Sequence, residues 1–457
     1  MNKFYLIIAA LLYSGLASAS DGDVKKQTVD GIEWTYTILN EADKTCSVGG
    51  VETDYWGDTS GIPAIDKNTT GAISIPMALD GYSVVAVCEE AFRESMISSA
   101  VIPSSITRID EKAFFRCENL MSVSLSEGLT FIGEEVFSDC PISTIELPQS
   151  LVRIGEQAFE NTKLTTIFIP KNVAFLGNED RINDYGEVIE EDDLYGDIFN
   201  SCELLAEVKV DVANETYADI DGILVTKDKK VLLYFPAAKN DAVIPEGIEE
   251  ICEECFEYSK LTTISLPSTL SLIGEYAFAY SALTSIAIGN EPLSAAGSYA
   301  PKRDTSSQQS ITIGSDAFYC CSDLKTIILG DNISEIQSSA FGRCESLTDV
   351  YTFSTTPQTI DQDTFVMDYE PDENWMNWYP VCTATLHVPA GCKASYEAAE
   401  GWNIFKEIVE DTQTTGISTT PATTSHEDSP YFDLMGRKAK PNVPGIYVKN
   451  GKKLVIK

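Results

Sequence analysis

Two histidines, His387 and His426, are the only imidazoles among the 457 residues. A Ser-His-Asp or Cys-His centre needs a histidine held rigidly by a second group. His426 stands in a Thr- and Ser-rich stretch that holds nothing in place, and His387 falls in an alternating apolar run where packing is its expected role. No G-x-S-x-G, H-E-x-x-H or P-loop occurs. The 70 acidic residues are so widely spread that no carboxylate couple stands out for glycoside hydrolysis. The expectation is a protein without catalysis.

Metal chemistry is equally thin. Cys252-x-x-Cys255 has no second Cys or His pair at zinc-finger spacing. The stretch from Asn178 to Asp193 carries eight acids against Arg181, but lacks the D-x-D-x-D-G order of a calcium loop. A solvated charge run is the expected reading, so neither cofactor nor metal is expected. Trp375, Trp378 and Tyr379, beside the acidic run Asp368 to Glu373, are the candidate ligand-binding residues. Exposed aromatics favour protein or sugar contact; the competing role is a plug over the end of the core.

Those residues sit on a repeat. Ala-Phe or a close variant returns about every 22 to 23 residues, at Phe92, Phe114, Phe137, Phe159, Phe256, Phe278, Phe318 and Phe341, with Phe199 and Phe365 in less regular units. Residues 145–166, IELPQSLVRIGEQAFENTKLTT, and 264–285, ISLPSTLSLIGEYAFAYSALTS, are clean copies. A fixed period of this size marks a stacked solenoid, in which one coil cannot bury its own apolar residues and neighbours do it jointly. Ile145-Glu146-Leu147 alternates as a strand and stops at Pro148, which has no N–H for a ladder. The Ile-Gly pair reads as a second short strand with a turn that glycine eases. Glu-x-Ala-Phe reads as a brief helical turn that drops Phe inward. About ten coils follow, each buried Phe contributing on the order of 2–3 kcal/mol.

These units resemble the BspA-like leucine-rich repeats, also called the Treponema pallidum type, with the pattern L-x-x-I-x-L-P-x-x-L-x-x-I-G-x-x-A-F-x-x-C over about residues 72 to 366. The resemblance implies a right-handed leucine-rich-repeat solenoid of short parallel β-strands and short helical turns. It also implies adhesion to host matrix proteins or other cells.

Lys3, the apolar run Phe4 to Leu16 and Ala17-Ser18-Ala19 make a secretory leader over residues 1–19, cleaved between Ala19 and Ser20. No other stretch is apolar enough to span a membrane. Formal charge is −38, which disfavours nucleic acid and favours a soluble monomer. Residues 431–457 depart from this, with seven Lys or Arg against one Asp, a net of +6. Five of the twelve cysteines, Cys117, Cys140, Cys202, Cys321 and Cys344, stand three residues after a repeat Phe, where other units have Ser or Thr. They read as packed thiols rather than disulfides. Cys382 and Cys392 flank a Pro-Ala-Gly turn and form a candidate pair.

The expected organisation is a β cap over 20–71, the solenoid over 72–380, a closing strand and short helix over 381–410, a flexible linker over 411–430 and a small module over 431–457. Insertions are expected near 177–193, 211–236 and 289–310, the middle one a hairpin across Lys227-Asp228-Lys229. The module, with Asp433-Leu434-Met435-Gly436-Arg437 and Pro444-Gly445-Ile446-Tyr447, is similar to the C-terminal sorting signals of the Bacteroidetes type IX system. The expectation is therefore a secreted protein, extracellular or on the outer-membrane surface, that binds a protein on host matrix or another cell. A glycan-binding protein and a structural surface-layer component are the alternatives.

Overall fold

The computed structural model describes residues 22–53, 59–177, 198–239, 243–289, 309–371 and 378–411, and the short strands Tyr431–Phe432, Lys438–Ala439, Gly445–Lys449 and Lys452–Ile456. The leader with its Ala19–Ser20 junction, the acidic run 178–193, the insertion 290–308 and the linker 412–430 lie outside the described residues.

The chain is a solenoid of short parallel strands. The Ile-Gly segments pair coil to coil, Ile109 with Ile132, Ile132 with Ile154, and Ile154 with Leu176. The runs that end in Pro form other parallel ladders, for example Ile167 beside Val208, and Ile286 beside Ile327 beside Val350. Inside, the phenylalanines stack face to face. Phe92–Phe114 centroids are 4.8 Å apart at 8°, and Phe278–Phe318 are 4.9 Å apart at 3°. Nearly all are fully buried.

The turn that carries each Phe is not helical. At the regular rungs, Phe92 to Phe159 and Phe256 to Phe341, the residues two before and two after have left-handed backbone, as Lys112 (φ 53°) and Arg116 (φ 54°) do around Phe114. This aims amide N–H groups along the stack rather than at their own coil. Phe92 N donates to Ala113 O at 2.7 Å, and Phe278 N to Ala317 O at 2.7 Å. Coil-to-coil bonds thus replace the i→i−4 bonds that a helix would need.

Glycine after Ile also has a different reason from ease of turning. A Cβ on Gly155 would lie 2.5 Å from Glu134 N and from Gly133 C, and one on Gly274 2.7 Å from Cys252 C. The preceding coil's main chain passes too close for a side chain.

The segment near 211–236 is not an excursion from the stack. Tyr217–Ile220, Ile223–Thr226 and Val231–Tyr234 form an antiparallel meander, turning across Lys227–Lys230. Its last strand then pairs in parallel with Glu250–Ile251. Alternate residues serve opposite sides: Leu224 and Leu233 join the core of the first coils, while Ile223, Val225 and Leu232 join that of the later ones. The hairpin is a septum between two cores. Phe199 meets Tyr234 at 5.2 Å, and Phe235 opens the second ladder against Phe256 at 5.0 Å. Asn214 stitches the septum to the coil before it. Its Nδ2 donates to Pro170 O (2.9 Å) and Val173 O (2.8 Å), and its Oδ1 accepts from Thr216 N and Tyr217 N.

Both ends are covered. Strands Val24–Val29, Ile32–Asn40 and Thr45–Val48 meander antiparallel, and the last joins the first coil in parallel at Tyr82–Val87. Trp34 meets the edge of Phe92 at 6.2 Å. At the far end Phe365 packs on Trp402 and Phe405. The closing helix is confined to Lys393–Glu397. The chain then turns at Gly401 (φ 77°), and a strand the sequence reading lacks, Phe405–Asp411, lies parallel to Trp378–Pro389. The C-terminal strands form a separate four-stranded sheet with the hairpin Gly445–Lys449 to Lys452–Ile456. No helix among the described residues is long and apolar enough to cross a membrane.

Candidate binding surface

Trp375 lies outside the described residues, while Trp378 and Tyr379 begin the long strand Trp378–Pro389. There they face Pro371 and Glu370 in an antiparallel pair. This places them on a hairpin at the last coil.

The same strand carries His387, which packs at the last coil, against its outer surface. It is half-buried on the outward face, because Leu386 and Val388 take the inward positions and alternation sends His387 out. Its ring stacks on Tyr351, 4.1 Å away at 13°, and its Nε2 is 3.0 Å from Asp349 Oδ1. Burial pushes the Asp349 carboxyl up, but hydrogen bonds to Thr348 and His387 outweigh it and hold it below its ordinary range. A carboxylate and an imidazole are two parts of a triad, yet no serine or cysteine is bonded to this ring among the described residues. In register with them are Ile328 on one side and Val409 on the other. The outer face of the later sheet is thus a half-buried strip of mixed apolar and polar groups.

The cysteines three after each Phe are internal donors. Cys117 Sγ bonds Phe92 O at 3.0 Å, Cys140 Sγ bonds Phe114 O at 3.1 Å, and Cys344 Sγ bonds Phe318 O at 3.2 Å. Each thiol satisfies a carbonyl of an earlier coil; where the position holds Thr162 or Ser281 instead, the hydroxyl faces the next coil's thiol, Cys202 at 3.2 Å and Cys321 at 3.3 Å. Burial pushes Cys140 and Cys202 above the ordinary thiol range, so neither is poised as a nucleophile. Cys382 and Cys392 are not joined: both are free, and Cys392 Sγ turns to Thr355 O at 3.4 Å. Cys252 likewise points inward, to Leu233 O at 3.2 Å.

A shallow cleft of about 340 Å³ opens near the turns of the second to fourth rungs, between Arg116, Asp139, Asn161 and Lys163. Three of its polar groups are bound to one another. Asp139 accepts from Arg116 Nε at 3.2 Å and from Asn161 Nδ2 at 2.7 Å.

Stacked rungs, parallel ladders and end caps together define a leucine-rich-repeat solenoid. Its coils are of one particular kind: six copies of the BspA type leucine rich repeat region match residues 86–180 and 237–366. The unmatched stretch between them contains the septum. Among solved structures, the pneumococcal vaccine antigen PcpA is similar over 85% of this chain and 99% of its own, at 21% identity and a TM-score of 0.55. A leucine-rich repeat protein from Bacteroides ovatus is similar over 84% of this chain and 90% of its own, at 20% identity and a TM-score of 0.47. A leucine rich cell surface protein from Faecalibacterium prausnitzii covers 86% and 99% respectively, at 18% identity and a TM-score of 0.43. No curated protein matches the chain. These likenesses concern the fold.

Proposed function

We propose that this is a secreted or cell-surface protein that binds other proteins through the outward faces of its coils, as an adhesin for host matrix or neighbouring cells, and that it performs no catalysis. One observation carries the reading. Inward positions of the ladders repeat the same apolar types, whereas outward ones differ from coil to coil, from Ala287 to Ile328, Tyr351 and His387. Packing dictates the first set; the second is free to be shaped by a partner. The apolar run after Lys3 is read as the export leader and the basic C-terminal module as the sorting and anchoring element.

The test is binding of the purified chain to immobilised extracellular-matrix proteins and mucins. Tyr351→Ala/His387→Ala is expected to weaken capture at least tenfold while melting normally. Capture of none of them by the unaltered chain, or hydrolytic turnover of any of them, would falsify the reading.

A further inference from the structure

The left-handed positions flanking each rung are filled differently in the two halves. In the first half the position two after Phe holds Glu94, Arg116, Asp139, Asn161 and Ser201; in the second it holds Tyr258 (φ 55°), Tyr280 (φ 56°), Cys320 and Arg343. Left-handed backbone disfavours a bulky side chain. Burial does not compensate, since Tyr258 is 54% and Tyr280 41% exposed. The two rings stack at 4.9 Å and 12°, and Tyr280 meets Tyr319 of the next coil edge-on at 5.9 Å. A strip of aromatic surface therefore runs over three coils on the turn edge.

The first half shows what such an aromatic does with a cation. Phe115, one residue after a rung Phe, lies between Arg93 and Arg116, whose guanidinium carbons are 5.4 and 4.8 Å from its ring centre. No cation stands over Tyr258, Tyr280 or Tyr319 among the described residues. Carboxylates lie beside the strip instead. Glu254 and Glu257 act on the Tyr258 phenol, and Asp316 is hydrogen-bonded to Tyr276. Of the bases nearby, Lys260 is already paired with Glu203 at 2.6 Å, and Arg343 acts on Cys320 without standing over any of the three rings.

We infer that Tyr258, Tyr280 and Tyr319, with Glu254 and Glu257, form a docking surface for a cationic segment of a partner protein, one that presents arginine or lysine side chains. The partner supplies the charge that Arg93 and Arg116 supply internally in the first half. A guanidinium lies on the aromatic surface and ion-pairs with a carboxylate beside it, a combination that ranks among the stronger contacts at interfaces. This deepens the protein-binding reading and rests on it.

The experiment titrates the full chain with a hexa-arginine peptide at physiological salt, with hexaglutamate as control. Asparagine suits left-handed backbone, so Tyr258→Asn/Tyr280→Asn keeps the fold and the net charge while removing the rings. The expected result is an unchanged or higher melting temperature and at least a tenfold weaker affinity for hexa-arginine. Equal affinity in the double variant overturns the proposal, because the peptide is then held by diffuse acidity alone. No hexa-arginine binding by the unaltered chain overturns it as well. Matrix-protein capture and the Tyr351→Ala/His387→Ala variant report separately on the broader reading, so the failure of one is distinguishable from the failure of the other.

Discussion

The thiol of Cys117 donates to the carbonyl oxygen of Phe92, 3.0 Å away in the preceding coil. The same oxygen also accepts from Ser95 N at 3.0 Å, so the thiol is its second donor. Cys117→Ser keeps a donor of similar size and is expected to change stability by less than about 1 kcal/mol. Cys117→Ala loses both the donor and packed volume and should cost about 1–3 kcal/mol. Chemical unfolding of the two variants side by side checks the contrast; equal losses would mean that volume alone matters.

Asn214 makes four hydrogen bonds while almost wholly buried. Asn214→Ala leaves Pro170 O and Val173 O short of a donor and Thr216 N and Tyr217 N short of an acceptor. The expected cost is about 2–4 kcal/mol. Asn214→Asp should be at least as harmful at neutral pH, since a carboxylate would face two carbonyl oxygens. Denaturant midpoints at pH 7 test both.

Gly155→Ala places its methyl against the preceding coil's backbone, where the nearest atoms are 2.5 Å away. Main chain cannot step aside as a side chain can, so a loss of about 2 kcal/mol or more is expected. Gly247→Ala meets nothing within 4 Å but has φ 102°, so its cost is backbone strain alone, about 1 kcal/mol. A larger loss at Gly247 than at Gly155 would contradict the close-approach account.

Burial, reinforced by the charge of Glu254, pushes the Glu257 carboxyl up to about 7. A raised acid binds its proton more tightly in the folded chain than in the unfolded one. Its contribution to stability is therefore present below the ordinary carboxyl range and fades as pH rises from about 4.5 towards 7. Glu257→Gln should stabilise the protein at pH 8 by about 1 kcal/mol, a figure reduced for solvent screening, and do little at pH 4. Thermal melts at the two pH values decide the matter; an equal gain at both would remove the electrostatic explanation.

The rungs were legible in the sequence because stacking demands the same residue at the same phase, so Phe92 to Phe341 announce themselves by period alone. The thiol positions were legible in part. Exchange among Cys117, Thr162 and Ser281 points to small buried groups, but the partner each one meets, a carbonyl for Cys117 and a thiol for Thr162 and Ser281, lies in another coil. The left-handed turns were hidden because residues as different as Glu90, Lys112 and Tyr276 fill them, with no glycine to mark them. That also concealed the tyrosine strip: Tyr258 and Tyr280 sit at a phase filled elsewhere by Glu94, Arg116 and Asp139, and Tyr319 one residue earlier. Asn214 occurs once and follows no period. The hairpin was readable as a hairpin, yet nothing in the alternation of Ile223 to Val225 tells that both of its faces are buried.

That double burial has a mechanical side. Across the septum the face-to-face aromatic stacking is replaced by tilted contacts at 57° and 34°, and the apolar interior is parted into two bodies. A surface protein tethered at one end and gripped at the other carries load along its length. Pulled in an optical trap, this chain is expected to lengthen in two steps, with the seam at Tyr234–Phe235 giving way before either half unravels, so that the molecule acts as a two-stage shock absorber.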